Sequence, residues 1–429
     1  MLLLSDKIKD WFIHEKNIEK STFVWNTVAS FLNSFQTMLL LLVITRTGSA
    51  NDSSIFVMAY SIGNLLYNIS KYGIRQYQVT DIEEKFSFDE YKKERKFSSF
   101  LMFLSVVAYL INNYTMNGYS EKKCIVVFLI CLYKGIEAYE DVLHGRMQQK
   151  GRLDIAGKIL AIRLFTFIVG FIVIYALTGK LILTTTINVV VTFLLCIILN
   201  NSVIGNFENK SSTTQTANWK KLLIECFPLC VSMILNMYLG NAPKYIIDEV
   251  VSDEIQTNFN IVFMPVFVVS LLSMFIFQPN LLKIGILWEK KDKKGLTKLL
   301  GRLTAVPIVF DIVITLIGGV LGIPVLSFIY GLDLADYTRE LIVFLLAGGA
   351  IAILNLYIMV LTTLREQHKI LIGYCLAAGI MFFFGRKILF MYGLTVLTIF
   401  FFMDLILLDL YCITIVIWRL RKEKMQGQG

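Results

Sequence analysis

The sequence predicts an all-α polytopic membrane protein, with about twelve transmembrane helices in two pseudo-symmetric six-helix halves around a central cavity. Three observations carry this expectation. The 429 residues are 56% hydrophobic and only 17% charged, whereas soluble chains are about a quarter charged. Apolar runs of roughly 20 residues recur, the length that crosses about 30 Å of hydrocarbon as a helix. The runs are continuous rather than alternating, which favours helices over a barrel. A single polar break, residues 205–221 (GNFENKSSTTQTANWKK), divides them evenly. It cannot lie in hydrocarbon and has the composition of a flexible tether. The expected organisation is an N-terminal lobe at 1–204 (an interfacial helix and spans one to six), a cytoplasmic linker at 205–221, and a C-terminal lobe at 222–429 (spans seven to twelve and a basic tail).

Taken in order, the chain opens on an amphipathic leader. Leu4, Ile8, Trp11 and Phe12 share one helical face, with Lys7, Lys9, Asp10 and Glu15 largely off it. That pattern suits a helix lying on a membrane or a solvated leader. Met1–Leu4 is too short an apolar core for a cleavable signal. The spans are placed at 22–44, 54–74, 97–116, 122–141, 156–177, 181–201, 222–241, 257–279, 300–322, 338–362, 370–386 and 389–415. Pro243, Pro265, Gly318-Gly319 and Gly348-Gly349 mark points where helices break or thin.

Charge sets the orientation. With the N-terminus inside, the inward segments carry 31 of the 41 Lys and Arg and the outward segments carry 8; Lys134 and Arg163 lie within spans. This bias places both termini in the cytoplasm. Because the cations sit in alternate loops, the net charge of +9 does not point to nucleic acid. The seven Cys all fall in apolar segments, and His occurs only at 14, 144 and 368. Neither gives a metal site or a nucleophile, and no cofactor motif or P-loop is present.

The halves match locally. Arg146-x-Gln148-x-Lys150 precedes span five and Arg365-x-Gln367-x-Lys369 precedes span eleven, each after a Val-Leu pair. The densest basic loop follows the second span of each half, Lys71–Lys96 and Lys283–Arg302. Six spans per half make these parallel repeats.

Polar residues inside spans are costly, so their positions are informative. Asn26, Ser30, Asn33 and Thr37 form one stripe on span one. Ser61, Asn64, Asn68, Lys71 and Arg75 form another on span two, and Ser232, Asn236, Gly240 and Lys244 a third on span seven. Opposed stripes would line a wet cavity; the alternative is hydrogen-bonded glue between neighbouring helices. Lys134, Glu137, Glu140 and Asp141 sit in span four and Arg163 in span five, spaced for a structural ion-pair cluster. Asp311, Asp404 and Asp409 lack sequence-local partners. They suit either a proton or sodium site or a polar cavity with no coupling role.

Four motifs carry a family resemblance: Tyr72-Gly-Ile-Arg75-Gln-Tyr77-Gln78-Val-Thr-Asp81, Gln148-Gln-Lys-Gly-Arg152-Leu-Asp154-Ile-Ala-Gly157-Lys158, Asn241-Ala-Pro243-Lys244-Tyr245 and Phe263-Met-Pro265-Val-Phe. With the span plan, they make the chain resemble the bacterial polysaccharide-biosynthesis flippases, the lipid-linked oligosaccharide branch of the multidrug/oligosaccharidyl-lipid/polysaccharide exporter superfamily. The resemblance implies a non-enzymatic exporter in the bacterial plasma membrane. Its cargo would be an undecaprenyl-pyrophosphate-linked sugar unit, with cavity cations such as Arg75 and Lys244 on the pyrophosphate. The implied partners are that lipid-linked oligosaccharide, the bilayer, a polysaccharide polymerase and a chain-length regulator, with no nucleic acid. A drug or metabolite cation antiporter of the same superfamily, a membrane glycan polymerase and a non-transporting scramblase are the competing readings.

Overall fold

A computed structural model describes residues 11–116, 118–207, 218–248 and 253–426. The centre of the polar linker (208–217) and the first half of the leader (1–10) lie outside the described residues. The chain forms two compact units, Met1–Cys230 and Val231–Gly429.

The first unit contains α1 (Ile18–Thr47), α2 (Ala50–Lys71), the short α3 (Ile74–Val79), α4 (Phe88–Met116), α5 (Glu121–Gln149), α6 (Leu153–Thr178) and α7 (Leu181–Ile204), and takes in the first turns of α8 (Trp219–Leu239). Local chemistry sets the helix ends. Asn17 caps α1 by accepting from the Lys20 amide at 3.0 Å, and Ser49 caps α2 by accepting from the Asp52 amide at 3.1 Å, each satisfying a donor that the helix start leaves open. The core is aliphatic and aromatic, with Leu40, Ile44, Phe56, Tyr60, Ile130, Phe167 and Phe171 all buried. Gly157 lets α6 approach α1: a Cβ there would lie 3.1 Å from the backbone of Trp25 and Asn26.

The leader is fastened to this unit. Phe12 is buried against Met147, Leu153 and Ile159. Arg152 donates to the Ile13 carbonyl at 2.9 Å while gripping Asp154, and Lys158 pairs with Glu15 at 2.9 Å. The hydrogen bond from Lys158 holds the Glu15 carboxyl below its ordinary pKa. The motif at 148–158 therefore docks the chain's own leader, while the Trp11 ring stays half-exposed beneath the Lys158 ammonium.

The second unit contains the rest of α8, α9 (Ala242–Asp248), α10 (Asp253–Phe263), a 3-10 turn at Met264–Val266, α11 (Phe267–Glu289), α12 (Lys293–Tyr330), α13 (Thr338–Thr363) and α14 (Gln367–Gln426). The last is two helices joined at Gly393, whose φ of 82° and ψ of −175° break the ladder. Gly373 lies against Leu408 and Tyr411, and Gly385 against Leu397, so the two stretches fold back antiparallel. Among the described residues, nine helical stretches are long and apolar enough to cross a membrane. Dividing the last at Gly393, and adding the more polar α2 and α5, gives twelve, six in each half.

Three expectations change. The turn between spans eleven and twelve is at Gly393, not 386–389, because a left-handed glycine ends a helix where Arg386 and Lys387 can continue it. The paired glycines do not break helices; α12 and α13 run through them. They allow close approach instead: a Cβ at Gly318 would meet Leu345 at 2.5 Å, and one at Gly349 the Asp311 carboxyl at 2.4 Å. The Arg-x-Gln-x-Lys match is also out of register. Gly151 and Arg365 are the left-handed residues closing the equivalent turns, each donating three residues back while its successor donates five back. Arg146 thus precedes its turn by a helical turn, whereas Arg365 is the turn.

Candidate functional site

The ionisable residues of the first unit separate into a closed network and an open one. The closed network lies between α5 and α6. Arg163 sits 3.1 Å from Glu137 and 2.6 Å from Glu140, and Lys134 sits 2.7 Å from Glu137. All four side chains are at least nine-tenths buried. The Tyr133 hydroxyl accepts from Arg163 at 3.1 Å and from Gln36 of α1 at 2.9 Å, and Asn200 of α7 donates to Glu140 at 3.1 Å. Two cations meet two anions and leave no net charge. Such a cluster holds helices in register, since removing one member strands a buried charge. The spacing of Glu137, Glu140 and Arg163 announced it; Gln36 and Asn200, with no periodic signal, were not foreseen.

The open network begins at the next residue of α5, Asp141. Asp141 accepts from Arg75 of α3 at 2.9 Å and from Arg95 of α4 at 3.1 Å. Arg75 also grips the Gln148 side chain at 3.1 and 3.3 Å. Arg95 is fully buried, whereas a quarter of the Arg75 side chain is exposed. One carboxylate thus faces two guanidiniums, and the buried Glu94 carboxyl lies beside Arg95 as a second anion. Lys71, half-buried at the end of α2, adds a third cation; its ammonium rests 4.5 Å over the Tyr67 ring. The chain reverses here through two consecutive left-handed residues, Tyr72 and Gly73. That sharp turn swings Arg75 onto a separate short helix and away from the α2 stripe.

The other candidates are placed as follows. Asn33 and Asn64 are exposed, Ser30 is half-buried, and Asn68 bonds back to the Asn64 carbonyl at 3.1 Å. Asn26 lies at the approach of α1 to α6, its side-chain nitrogen buried without a partner. In the second unit Asn236 is half-buried. Lys244 is half-buried too, its ammonium 4.5 Å over the Phe263 ring, and no described carboxylate pairs with it. Asp311 packs against Gly349. Asp404 and Asp409 are buried with no hydrogen-bond partner on any carboxyl oxygen.

A second tier of ion pairs closes around the loop that follows α3. Glu84 takes Arg146 at 3.2 Å and Lys150, and Lys85 pairs at 2.8 Å with Glu225 of α8, which also accepts from the Tyr77 hydroxyl. Asp81 caps the loop, accepting from the Lys85 and Phe86 amides at 3.1 Å and from the Tyr91 hydroxyl at 2.8 Å.

This architecture has solved counterparts. The Vibrio cholerae MATE transporter VcmN aligns with a TM-score of 0.74 over 95% of this chain and 98% of its own, at 12% identity. The chain has the fold of the MATE transporters. A MOP superfamily transporter from Pyrococcus furiosus, described by the reverse polarity of its binding pocket, aligns with a TM-score of 0.75 over 97% of this chain and 98% of its own, at 10% identity. In sequence, the chain is 21% identical to the capsular polysaccharide biosynthesis protein CapF of Staphylococcus aureus over 84% of its length and 89% of that protein's. No protein-family profile matches it. The MATE-like fold makes this a multi-pass membrane protein built as transporters are.

Proposed function

We propose that this protein is an alternating-access flippase that moves an undecaprenyl-pyrophosphate-linked oligosaccharide repeat unit to the outer leaflet of the bacterial plasma membrane, both termini being cytoplasmic. The observation that carries the reading is the gathering of Arg75, Arg95 and Lys71 around Asp141, three cations that outnumber the carboxyls of Asp141 and the neighbouring Glu94. A pyrophosphate needs such a surface. An isolated ion in hydrocarbon costs tens of kcal/mol by Born solvation, and partly exposed cations beside polar amides offset that cost. The unpaired Lys244 gives the second unit a matching cation. The fold of exporters and the likeness to a capsule biosynthesis protein support the same reading.

Moving about two negative charges outward, with the inside negative, gains roughly 4–5 kcal/mol per 100 mV. The potential can therefore drive export without a nucleotide. The candidate cargo-binding residues are Asn26, Ser30, Asn33, Asn64, Asn68, Lys71 and Arg75 in the first unit and Asn236 and Lys244 in the second, with Asp311 and Asp404 as candidates for ion coupling. A polymerase and a chain-length regulator would act on the exported unit.

A second reading, antiport of a cationic drug or metabolite, rests on Asp404 and Asp409, buried carboxyls without partners. Extraction of undecaprenyl-linked intermediates from a deletion strain separates the two. A complete pyrophosphate-linked unit trapped in the cytoplasmic leaflet is the result expected of a flippase. Absence of any lipid-linked sugar would favour the antiporter.

A further inference from the structure

The two densest basic loops look equivalent in sequence, and the structure uses them differently. In the first, Arg75 and Arg95 are spent on Asp141, Lys85 on Glu225 and Lys92 on Asp89, leaving Lys93 and Lys96 exposed. In the second, Lys294, Lys298 and Arg302 are exposed on the first turns of α12 and meet no described acid. The nearest acid in sequence, Asp292, is occupied in capping the Gly295 amide at 2.9 Å.

These cations point away from the unit. Leu296, Leu300, Leu303 and Pro307 form the buried face of α12; the three cations lie on the opposite side. The stripe they begin continues as exposed aliphatics, Val309, Val313, Leu316 and Val320. Arg302 and Val313 are separated by about 16 Å of helix at 1.5 Å per residue, about half the hydrocarbon thickness of about 30 Å and so the depth of one leaflet. One face of one helix therefore carries three cations followed by a strip of bare aliphatic side chains. A soluble anion would use the first part only, and an uncharged lipid the second only.

We propose that this face of α12 is a binding site for an anionic phospholipid, with Lys294, Lys298 and Arg302 on its phosphate headgroup and the first exposed aliphatics of the stripe, Val309 and Val313, along its acyl chains. Clusters of basic residues at the end of a membrane helix attract anionic lipid with about 1 kcal/mol per charge, or about fivefold each. The site does not depend on what the protein transports.

The test titrates phosphatidylglycerol into the purified full-length protein in neutral detergent, reading retained lipid by native mass spectrometry. Phosphatidylcholine of the same chains and inorganic phosphate are run alongside. The triple variant Lys294→Gln/Lys298→Gln/Arg302→Gln is expected to bind phosphatidylglycerol at least about tenfold more weakly. A control variant, Lys16→Gln/Lys20→Gln, should bind as the wild type does. Unchanged binding by the triple variant overturns the site, as does equal retention of phosphatidylcholine. Full displacement of phosphatidylglycerol by equimolar inorganic phosphate overturns it too, by marking a free-phosphate site. Should the triple variant not fold, the charge-keeping Lys294→Arg/Lys298→Arg/Arg302→Lys decides: wild-type binding that weakens with added salt supports the site, and salt-independent binding refutes it.

Discussion

Arg75 and Asp141 lie 2.9 Å apart, and the second oxygen of the same carboxylate takes Arg95 at 3.1 Å. The two arginines are therefore unequal. Asp141→Asn strands both guanidiniums and should destabilise the protein by about 2 kcal/mol, below the full cost of breaking a buried pair because Arg75 is partly hydrated. Arg75→Gln leaves the Arg95 pair intact and should cost less than half as much. Thermal unfolding in neutral detergent checks the ranking; equal losses would mean that Arg95 does not depend on Asp141.

The same pairing divides the export variants. Lys71 and Lys244 rest on aromatic rings without a described acid partner, so Lys71→Ala and Lys244→Ala should reduce glycan export at normal membrane abundance. Arg75→Ala should lower both export and abundance, since it also releases Asp141 and Gln148. Immunoblotting of membranes beside leaflet-resolved lipid analysis separates the outcomes. Full export by the Lys71 and Lys244 variants would remove them from the cargo-binding residues.

Within the closed network, Glu137→Ala strands Lys134, leaves Arg163 with Glu140 alone, and should cost about 3–5 kcal/mol, the range for an uncompensated buried charge. Abundance should then fall more than activity per molecule. Replacing both members, Lys134→Met with Glu137→Gln, removes one charge of each sign and should recover at least half of the loss. Lost activity at normal abundance would move the cluster from structure to transport.

How much of this was legible depended on the physics involved. Hydrocarbon thickness and backbone satisfaction dictate span length and number, and those were readable from apolar runs alone. The closed network was readable too, because Glu137, Glu140 and Arg163 fall on facing turns of consecutive spans. The fate of individual cations was not. Whether a basic residue is neutralised depends on an acid brought near by tertiary structure, as Asp141 is to Arg75 and Glu225 to Lys85. The apparent repeat at Arg146 and Arg365 failed for a related reason: similar letters occupied different positions around a left-handed cap.

Glu84 gives a pH dependence. It lies in the loop between α3 and α4. Burial alone would raise its pKa, but hydrogen bonds from Lys150 and Arg146 outweigh this and hold it below the ordinary carboxylate range. A depressed folded value means that the contribution is full above the unfolded value, about 4.3, and is lost as pH falls through the folded one. The difference in melting temperature between the wild type and Glu84→Gln should hold from pH 7 to about 5 and vanish below the folded value. A difference that grows on acidification would contradict the pairing.

Gly73 combines two constraints that the sequence shows only as a glycine in a motif. Its φ is 71°, and a Cβ there would lie 2.6 Å from the Leu229 Cβ on α8. Gly179 shares the first constraint, with φ 62°, but faces open space. Gly179→Ala should therefore cost about 1 kcal/mol, for left-handed strain alone. Gly73→Ala adds a clash with a side chain rooted in a helix backbone and should cost about 2–4 kcal/mol. Removing the obstacle tests the account: Leu229→Gly, which alone takes away the Cβ that is met, should cost stability in the wild type yet recover part of the loss when combined with Gly73→Ala. Strictly additive effects would show that α3 and α8 do not touch at this turn.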